Sequence, residues 1–262
     1  MKINSKVLLL VVVLLVVSMP VLGQNKLDNV RLFQSFFYDA PIAKTGYAEA
    51  GLEYADYDGM SKFGIGGQGG YPINEKIEVG ASLQFLSLSP EEGDGQSGIS
   101  DLGAYGRYNL IKNGKTNFSA GALVTLPIGS EDIGQGNLNF GAFGAVRHAL
   151  DNGMVIVGNA GLIFYEVTKV EYDFDFSTGD YTTEESTSYE NYLNLSGGAI
   201  YPVNELLNIV GELTFRSEGD YMMLSGGGDY LMGNGHLRGA LGIGLDNGAP
   251  DLMIMGGYLI AF

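Results

Sequence analysis

Residues 69–85 read GGYPINEKIEVGASLQF, and residues 198–215 read GAIYPVNELLNIVGELTF. Both contain Tyr-Pro, a branched residue and Asn-Glu. Such a stretch marks a turn, because proline removes a ladder donor and asparagine hydrogen-bonds its own backbone. After each turn one face is apolar at every second position: Ile77, Val79, Ala81, Leu83 and Phe85, then Leu207, Ile209, Gly211, Leu213 and Phe215. A period of two is the signature of a strand. The repeat therefore implies a fold that reuses one tight turn between long strands.

Further alternating segments fall at about 45–57, 61–72, 76–88, 99–110, 116–127, 138–149, 154–166, 189–201, 206–217, 221–232, 236–245 and 251–262. Each has roughly the 9–11 residues that a strand needs to cross a bilayer. Their number, about twelve, is even, as an antiparallel barrel with both termini on one side requires. Tight connections (PIN, IKNGK, LDNG, PVN, GNG) alternate with a second set that includes SPEEGDGQSG, PIGSEDIGQGN and the long stretch at about 167–188. Short periplasmic turns and longer outer loops are the habit of outer-membrane barrels. The fold class expected is all-β, a transmembrane antiparallel barrel over residues 45–262 with both termini periplasmic.

One strand face supports this. It carries Leu102, Ala104, Gly106, Tyr108 and Leu110 in one segment and Phe118, Ala120, Ala122, Val124 and Leu126 in the next. Its aromatics fall near strand ends, with Tyr71, Tyr108, Phe118, Tyr201 and Tyr258 toward the turns and Phe63, Phe85, Phe140, Phe164 and Phe215 toward the loops. Amphipathic rings prefer the two membrane interfaces. A soluble β-sandwich also alternates, but has no reason to sort its aromatics into two bands.

The first residues are read as a targeting signal. Lys2 and Lys6 precede the apolar run VLLLVVVLLVV, and Ser18, Met19 and Pro20 break it before Gly23. This pattern predicts a secretory signal peptide over 1–23, and the run is short for a membrane anchor. The chain has no cysteine, so disulfides and a lipidated N-terminal cysteine are excluded. Its formal net charge is −16, and loss of Lys2 and Lys6 makes it more negative. Nucleic acid is excluded as a partner, since phosphate contacts need clustered Lys and Arg. Residues 24–44 follow as an N-terminal periplasmic segment or plug. Leu27, Val30, Phe33 and Phe37 stand at helical spacing, which fits a short periplasmic helix or a plug in the lumen, and an extended lead-in to the first strand fits equally.

The stretches SGISDLGAYGRYNL (97–110), TLPIGS (125–130) and APDLMIMGGYLIAF (249–262) resemble a family of outer-membrane transport barrels named for a phenol-degradation (MetA) pathway. Functional-amyloid secretion channels resemble it in turn. The resemblance implies a small barrel in the Gram-negative outer membrane that passes solutes or polypeptide. It marks turns and strand phase rather than chemistry, and implies no substrate. The closing aromatic strand ending at Phe262 resembles the signal read by the barrel assembly machinery. Outer-membrane lipid and lipopolysaccharide are the other partners expected.

The opposite strand face is polar. Its phase assigns Glu49, Glu53, Lys62, Glu78, Asp101, Arg107, Arg147, Glu212, Arg216, Asp229 and Arg238 to the lumen. Acids and bases nearly balance there, which suits either a charged solute path or a packed network of ion pairs. Glycines at 64, 66, 70, 103, 121 and 141 favour a water-filled path, and Arg107 and Arg147 are expected to meet Glu78, Asp101 or Glu212. The loops form an acidic rim that includes Glu91, Glu92, Asp94, Asp173, Asp175, Asp180, Glu184 and Glu185, with half of the chain's 30 acids in four loops.

The same region presents Asp173, Asp175, Ser177 and Glu184 at a spacing that invites a calcium loop, but Gly179 is one place late. A hairpin turning at Thr178-Gly179 is the preferred reading, with no metal. No cofactor is implied. The two histidines, His148 and His236, fall in no catalytic pattern, so no enzyme is expected. The expected function is a channel for small solutes or hydrophobic compounds. The alternatives are a non-conducting structural or adhesive barrel whose acidic loops bind partners, and a polypeptide secretion pore.

Overall fold

A computed structural model describes residues 30–175, 180–233 and 235–262, except for the side chains at 171–175, 180–182, 184 and 185. The strands are β1 (Tyr47–Tyr57), β2 (Met60–Pro72), β3 (Ile77–Pro90), β4 (Gln96–Ile99), β5 (Leu102–Asn113), β6 (Thr116–Leu126) and β7 (Asn139–Ala149). They continue as β8 (Val155–Asp175), β9 (Asp180–Pro202), β10 (Leu207–Arg216), β11 (Tyr221–Met232), β12 (Gly235–Gly244) and β13 (Leu252–Ala261). Every pairing is antiparallel between neighbours, and β1 closes the sheet by pairing with both β2 and β13. Strands β4 and β5 both pair with β3, so the thirteen strands fill twelve places around a closed barrel.

The two copies of the turn have one geometry. Asn74 Oδ1 accepts from the N–H groups of Lys76 and Ile77 at 2.8 and 3.0 Å, while Ile73 N–H bonds the Ile77 carbonyl at 2.9 Å. In the second copy Asn204 Oδ1 accepts from Leu206 and Leu207 at 2.8 and 2.9 Å, and Val203 N–H bonds Leu207 at 2.9 Å. The asparagine thus satisfies the donors that the turn removes from the ladder. Both turns lie at the end of the barrel that holds Gly46 and Phe262, which are joined by a backbone bond of 2.9 Å. We call this the turn end and its opposite the loop end.

The outer face is apolar around the wall: Leu52, Leu83, Phe118, Leu162, Leu213 and Leu241 are exposed there. A continuous belt of this kind is unstable in water and is stabilised by lipid. Tyr71 and Tyr108 are exposed near the turn end, but Tyr201 is buried where it is registered against Ile209. At the loop end the β8–β9 ladder runs on to Asp175↔Asp180, a long hairpin standing beyond its neighbours.

Residues 30–44 contain no helix. The reason lies inside the barrel.

Candidate functional site

Residues 30–44 run through the turn-end half of the lumen, with a turn closed by a 3.0 Å bond from Tyr38 N–H to the Ser35 carbonyl. Their backbone groups bond to the wall instead of to one another. The Glu212 carboxylate of β10 accepts from the N–H groups of Phe33, Gln34 and Ser35 at 2.9, 2.8 and 2.9 Å, and from the Ser35 hydroxyl at 2.5 Å. Three consecutive N–H groups aimed at one anion form a nest, which a helix cannot offer in mid-segment. Arg238 of β12 donates to the carbonyls of Arg31 and Leu32 at 2.6 and 3.2 Å. Arg147 of β7 donates to the Val30 carbonyl at 3.0 Å and to Asp39 Oδ2 at 2.7 Å. Arg107 of β5 donates to the Asp39 carbonyl at 2.8 Å. We call this lumen segment the plug.

Apolar anchors complete it. Val30 and Leu32 lie against Val155, Val157, Ile200 and Val210, and Phe36 lies against Tyr47 and Leu259. Burial of one such side chain stabilises docking by about 1.5–3 kcal/mol.

The densest polar cluster surrounds Glu78 of β3. Its carboxylate accepts from Tyr47 Oη at 2.6 Å, Tyr105 Oη at 3.0 Å, Arg107 Nη2 at 2.6 Å and the Ala43 N–H at 2.8 Å. The Arg31 guanidinium stands 3.8 Å from Glu78 and 3.7 Å from Asp39, over the Tyr47 ring at 4.5 Å. Burial works to raise the Asp39 carboxyl, but Arg147, Arg31 and Arg107 outweigh it and hold the group below the usual carboxylate range.

Above the plug, toward the loop end, lies a cavity of about 420 Å³. Phe33, Phe36, Phe37 and Tyr38 form its floor, and Glu49, Glu53, Lys62, Arg216 and Arg238 are among its walls. A second cavity of about 660 Å³ lies at the mouth and shares Tyr38, Ser100 and Arg216 with the first.

The residues assigned to the lumen by phase divide into three groups. Glu78, Arg107, Arg147, Glu212, Asp229 and Arg238 are buried at the level of the plug. Glu49 bonds Arg238, and Lys62 meets Glu53 at 2.6 Å, in the wall of the cavity above. Asp101 lies at the loop end, where its carboxylate accepts from the Gly129 and Gln135 N–H groups at 2.9 and 2.7 Å and ties down the β6–β7 loop. Glu91, Glu92 and Asp94 are exposed between β3 and β4. The side chains of Asp173, Asp175, Asp180, Glu184 and Glu185 lie outside the described residues, as does the calcium reading that used three of them. The signal peptide lies outside them too.

Two expectations change. Arg147 pairs with Asp39 of the plug, not with Glu78, Asp101 or Glu212. The lumen glycines leave open space only in part: Gly64 and Gly66 line the cavity above the plug, whereas others are covered. A Cβ on Gly70 would overlap the Tyr105 hydroxyl, and one on Gly121 would overlap the Phe143 ring. Aromatic side chains lean across these glycines and fill the space that they leave.

Sequence reasoning missed Arg31, Asp39, Tyr47, Tyr105 and His236. His236 is buried, with Nδ1 2.6 Å from Asp229 Oδ1, while Arg238 Nε is 3.2 Å from the other oxygen. The signal was present in the phase: His236 and Arg238 are two residues apart, so they share a face. His148 is on the outer face, bonded to Thr116 at 2.7 Å.

This arrangement, a closed twelve-place barrel around a polar interior, can be set beside known proteins. No family sequence model matches the chain, and no curated protein sequence does. Among solved structures it is similar to the COG4313 outer membrane channel from Pseudomonas putida F1, with a TM-score of 0.62 at 14% identity over 86% of this chain and 98% of that one. It is also similar to the KdgM porin, with a TM-score of 0.53 at 11% identity over 82% of this chain and 99% of that one. The NanC porin gives 0.52 at 11% identity over 82% and 98%. The fold is that of an outer-membrane β-barrel. At these identities the likeness is one of fold alone.

Proposed function

We propose that this protein is an outer-membrane channel for small solutes, shut at its turn end by residues 30–44. The observation that carries the reading is the pair of cavities that open from the loop end and stop on the plug. A barrel filled only for stability has no need of such a vestibule, because empty space costs packing. The outward lipid belt and the shared fold support a membrane location. In this reading a signal ending near Gly23 delivers the chain, the turn end faces the periplasm, and the acidic loops meet lipopolysaccharide. Phe262 presents the last strand to the assembly machinery, and solutes pass when the plug leaves the lumen.

One observation favours a second reading, the non-conducting structural barrel. Wall residues on β3, β5, β7, β10 and β12 all bond the plug, so its release is costly. Planar-bilayer recording separates the two. The full chain should show brief, rare openings, and a chain lacking residues 30–44 should conduct steadily. Silence from the shortened but folded barrel would sink the channel reading.

A further inference from the structure

The vestibule above the plug holds a site whose chemistry neither the fold nor the channel reading specifies. Among the described residues that line the 420 Å³ cavity, three side chains are cationic: Lys62, Arg216 and Arg238. Lys62 is neutralised by Glu53 at 2.6 Å. Arg238 is committed to Glu49, to Asp229 and to two plug carbonyls. Arg216 differs. Its guanidinium lies 4.3 Å over the Tyr221 ring, and among the described residues no carboxylate or carbonyl engages its N–H groups.

Stacking on an aromatic face holds a guanidinium in place while leaving its edge donors free. Those donors form a planar fork that matches a carboxylate. Tyr221 is itself fixed to the plug by a 3.2 Å bond between its hydroxyl and Gln34 Oε1. The free fork is therefore positioned relative to the cavity floor. That floor is aromatic, formed by Phe33, Phe36, Phe37 and Tyr38, and Phe36 and Phe37 meet edge to face with centroids 5.0 Å apart. Arg216, Tyr38 and Ser100 also line the outer cavity, so they form the neck between mouth and vestibule. Of the acids nearby, Glu49 and Glu53 are paired with Arg238 and Lys62, and Glu218 accepts from Tyr165.

We infer that the neck is a binding subsite for a small monocarboxylate that carries an aromatic ring, with Arg216 taking the carboxylate and the plug's phenyl rings taking the ring. The cavity volume lies within the range of about 300–1,000 Å³ usual for small-ligand sites. This inference deepens the channel reading, because it gives the solute class of the same lumen. It also means that the solute rests on the plug and touches the element that must move.

The test is binding rather than passage, so that its failure can be told from failure of the channel reading. Benzoate, benzyl alcohol and benzylamine are titrated into the full chain in detergent and followed by calorimetry or ligand-observed NMR. Benzoate should bind, and the neutral and cationic analogues should bind at least about tenfold more weakly, the loss expected when a charge-assisted bond is removed. Arg216→Gln should weaken benzoate about tenfold and leave benzyl alcohol unchanged, and Arg216→Lys should retain part of the affinity. Heat-dependent gel mobility of each variant reports that the barrel is intact. Equal affinity for benzoate and benzyl alcohol would overturn the assignment, and so would an Arg216→Gln protein that binds benzoate normally. Binding without conductance from the plug-deleted chain would leave the subsite standing and remove the channel. Conductance without benzoate binding would do the reverse.

Discussion

Asp39 meets Arg31 within the plug and Arg107 and Arg147 of the wall, and its titration has a definite sign. Its carboxyl is held below the ordinary range, so its contribution to docking is complete above that range and is lost as the pH falls through the lowered value. Acid should therefore raise the open probability of the full chain in bilayers. Asp39→Asn should raise it at neutral pH and weaken its response to acid, because Arg147 would lose its carboxylate partner there. Breaking one half of a buried pair costs about 3–5 kcal/mol. An Asp39→Asn protein that stays shut at every pH would show that the apolar anchors alone hold the plug. Gly80 gives a second test at this scale. A Cβ there would overlap the Tyr105 ring, so Gly80→Ala must displace Tyr105 from Glu78. The expected outcome is a folded barrel with a lower midpoint of thermal unfolding and a looser plug, measured by calorimetry and conductance.

At the scale of elements, the strands were legible because one face of each must meet lipid, and alternation records that requirement directly. The repeated Tyr-Pro turns were legible for a related reason: asparagine serves its own backbone, so the whole device is local. The break between β4 and β5 was not legible. It depends on bonds to the β6–β7 loop, where Asp101 accepts from the Gly129 N–H and Ser130 Oγ accepts from the Ile99 N–H, and no local pattern encodes them. The plug was only half legible, since Val30 and Phe33 share one cluster on the wall and Phe37 belongs to another, with no helix setting the spacing. Its deletion tests the independence of these elements. Every barrel strand pairs with strands alone, so a chain without residues 30–44 should still assemble and keep its strand content by circular dichroism. Loss of the barrel on deletion would mean that the plug is a core and not an insert.

For the whole molecule, closure is the property that decides behaviour. A sheet without edges keeps its backbone bonds in detergent, so heated and unheated samples should migrate differently on a denaturing gel. Identical mobility, with the protein recovered in a soluble fraction, would exclude the membrane barrel. The acidic loops act over a longer range than Arg216. Their field fades over about 8–10 Å in salt, whereas a direct bond at the neck does not. The plug-deleted pore should therefore prefer cations at low salt and lose that preference as salt rises. Neutralising Asp173, Asp175, Glu184 and Glu185 together should weaken it. Anion preference at low salt would mean that the lumen arginines govern permeation.

The bond from Arg238 to the Arg31 carbonyl joins residues 207 positions apart. The plug precedes every barrel strand in the sequence, yet its wall partners on β10 and β12 are made after most of the strands. Contacts of such separation cannot form before the ends of the sheet have met, and they make folding slow. The segment synthesised before the strands is therefore settled after them. Until β1 pairs with β13 it remains outside any lumen, with Val30, Leu32 and Phe36 uncovered. A chaperone that holds exposed apolar segments would find its target there, at the time when the chain is most prone to aggregate.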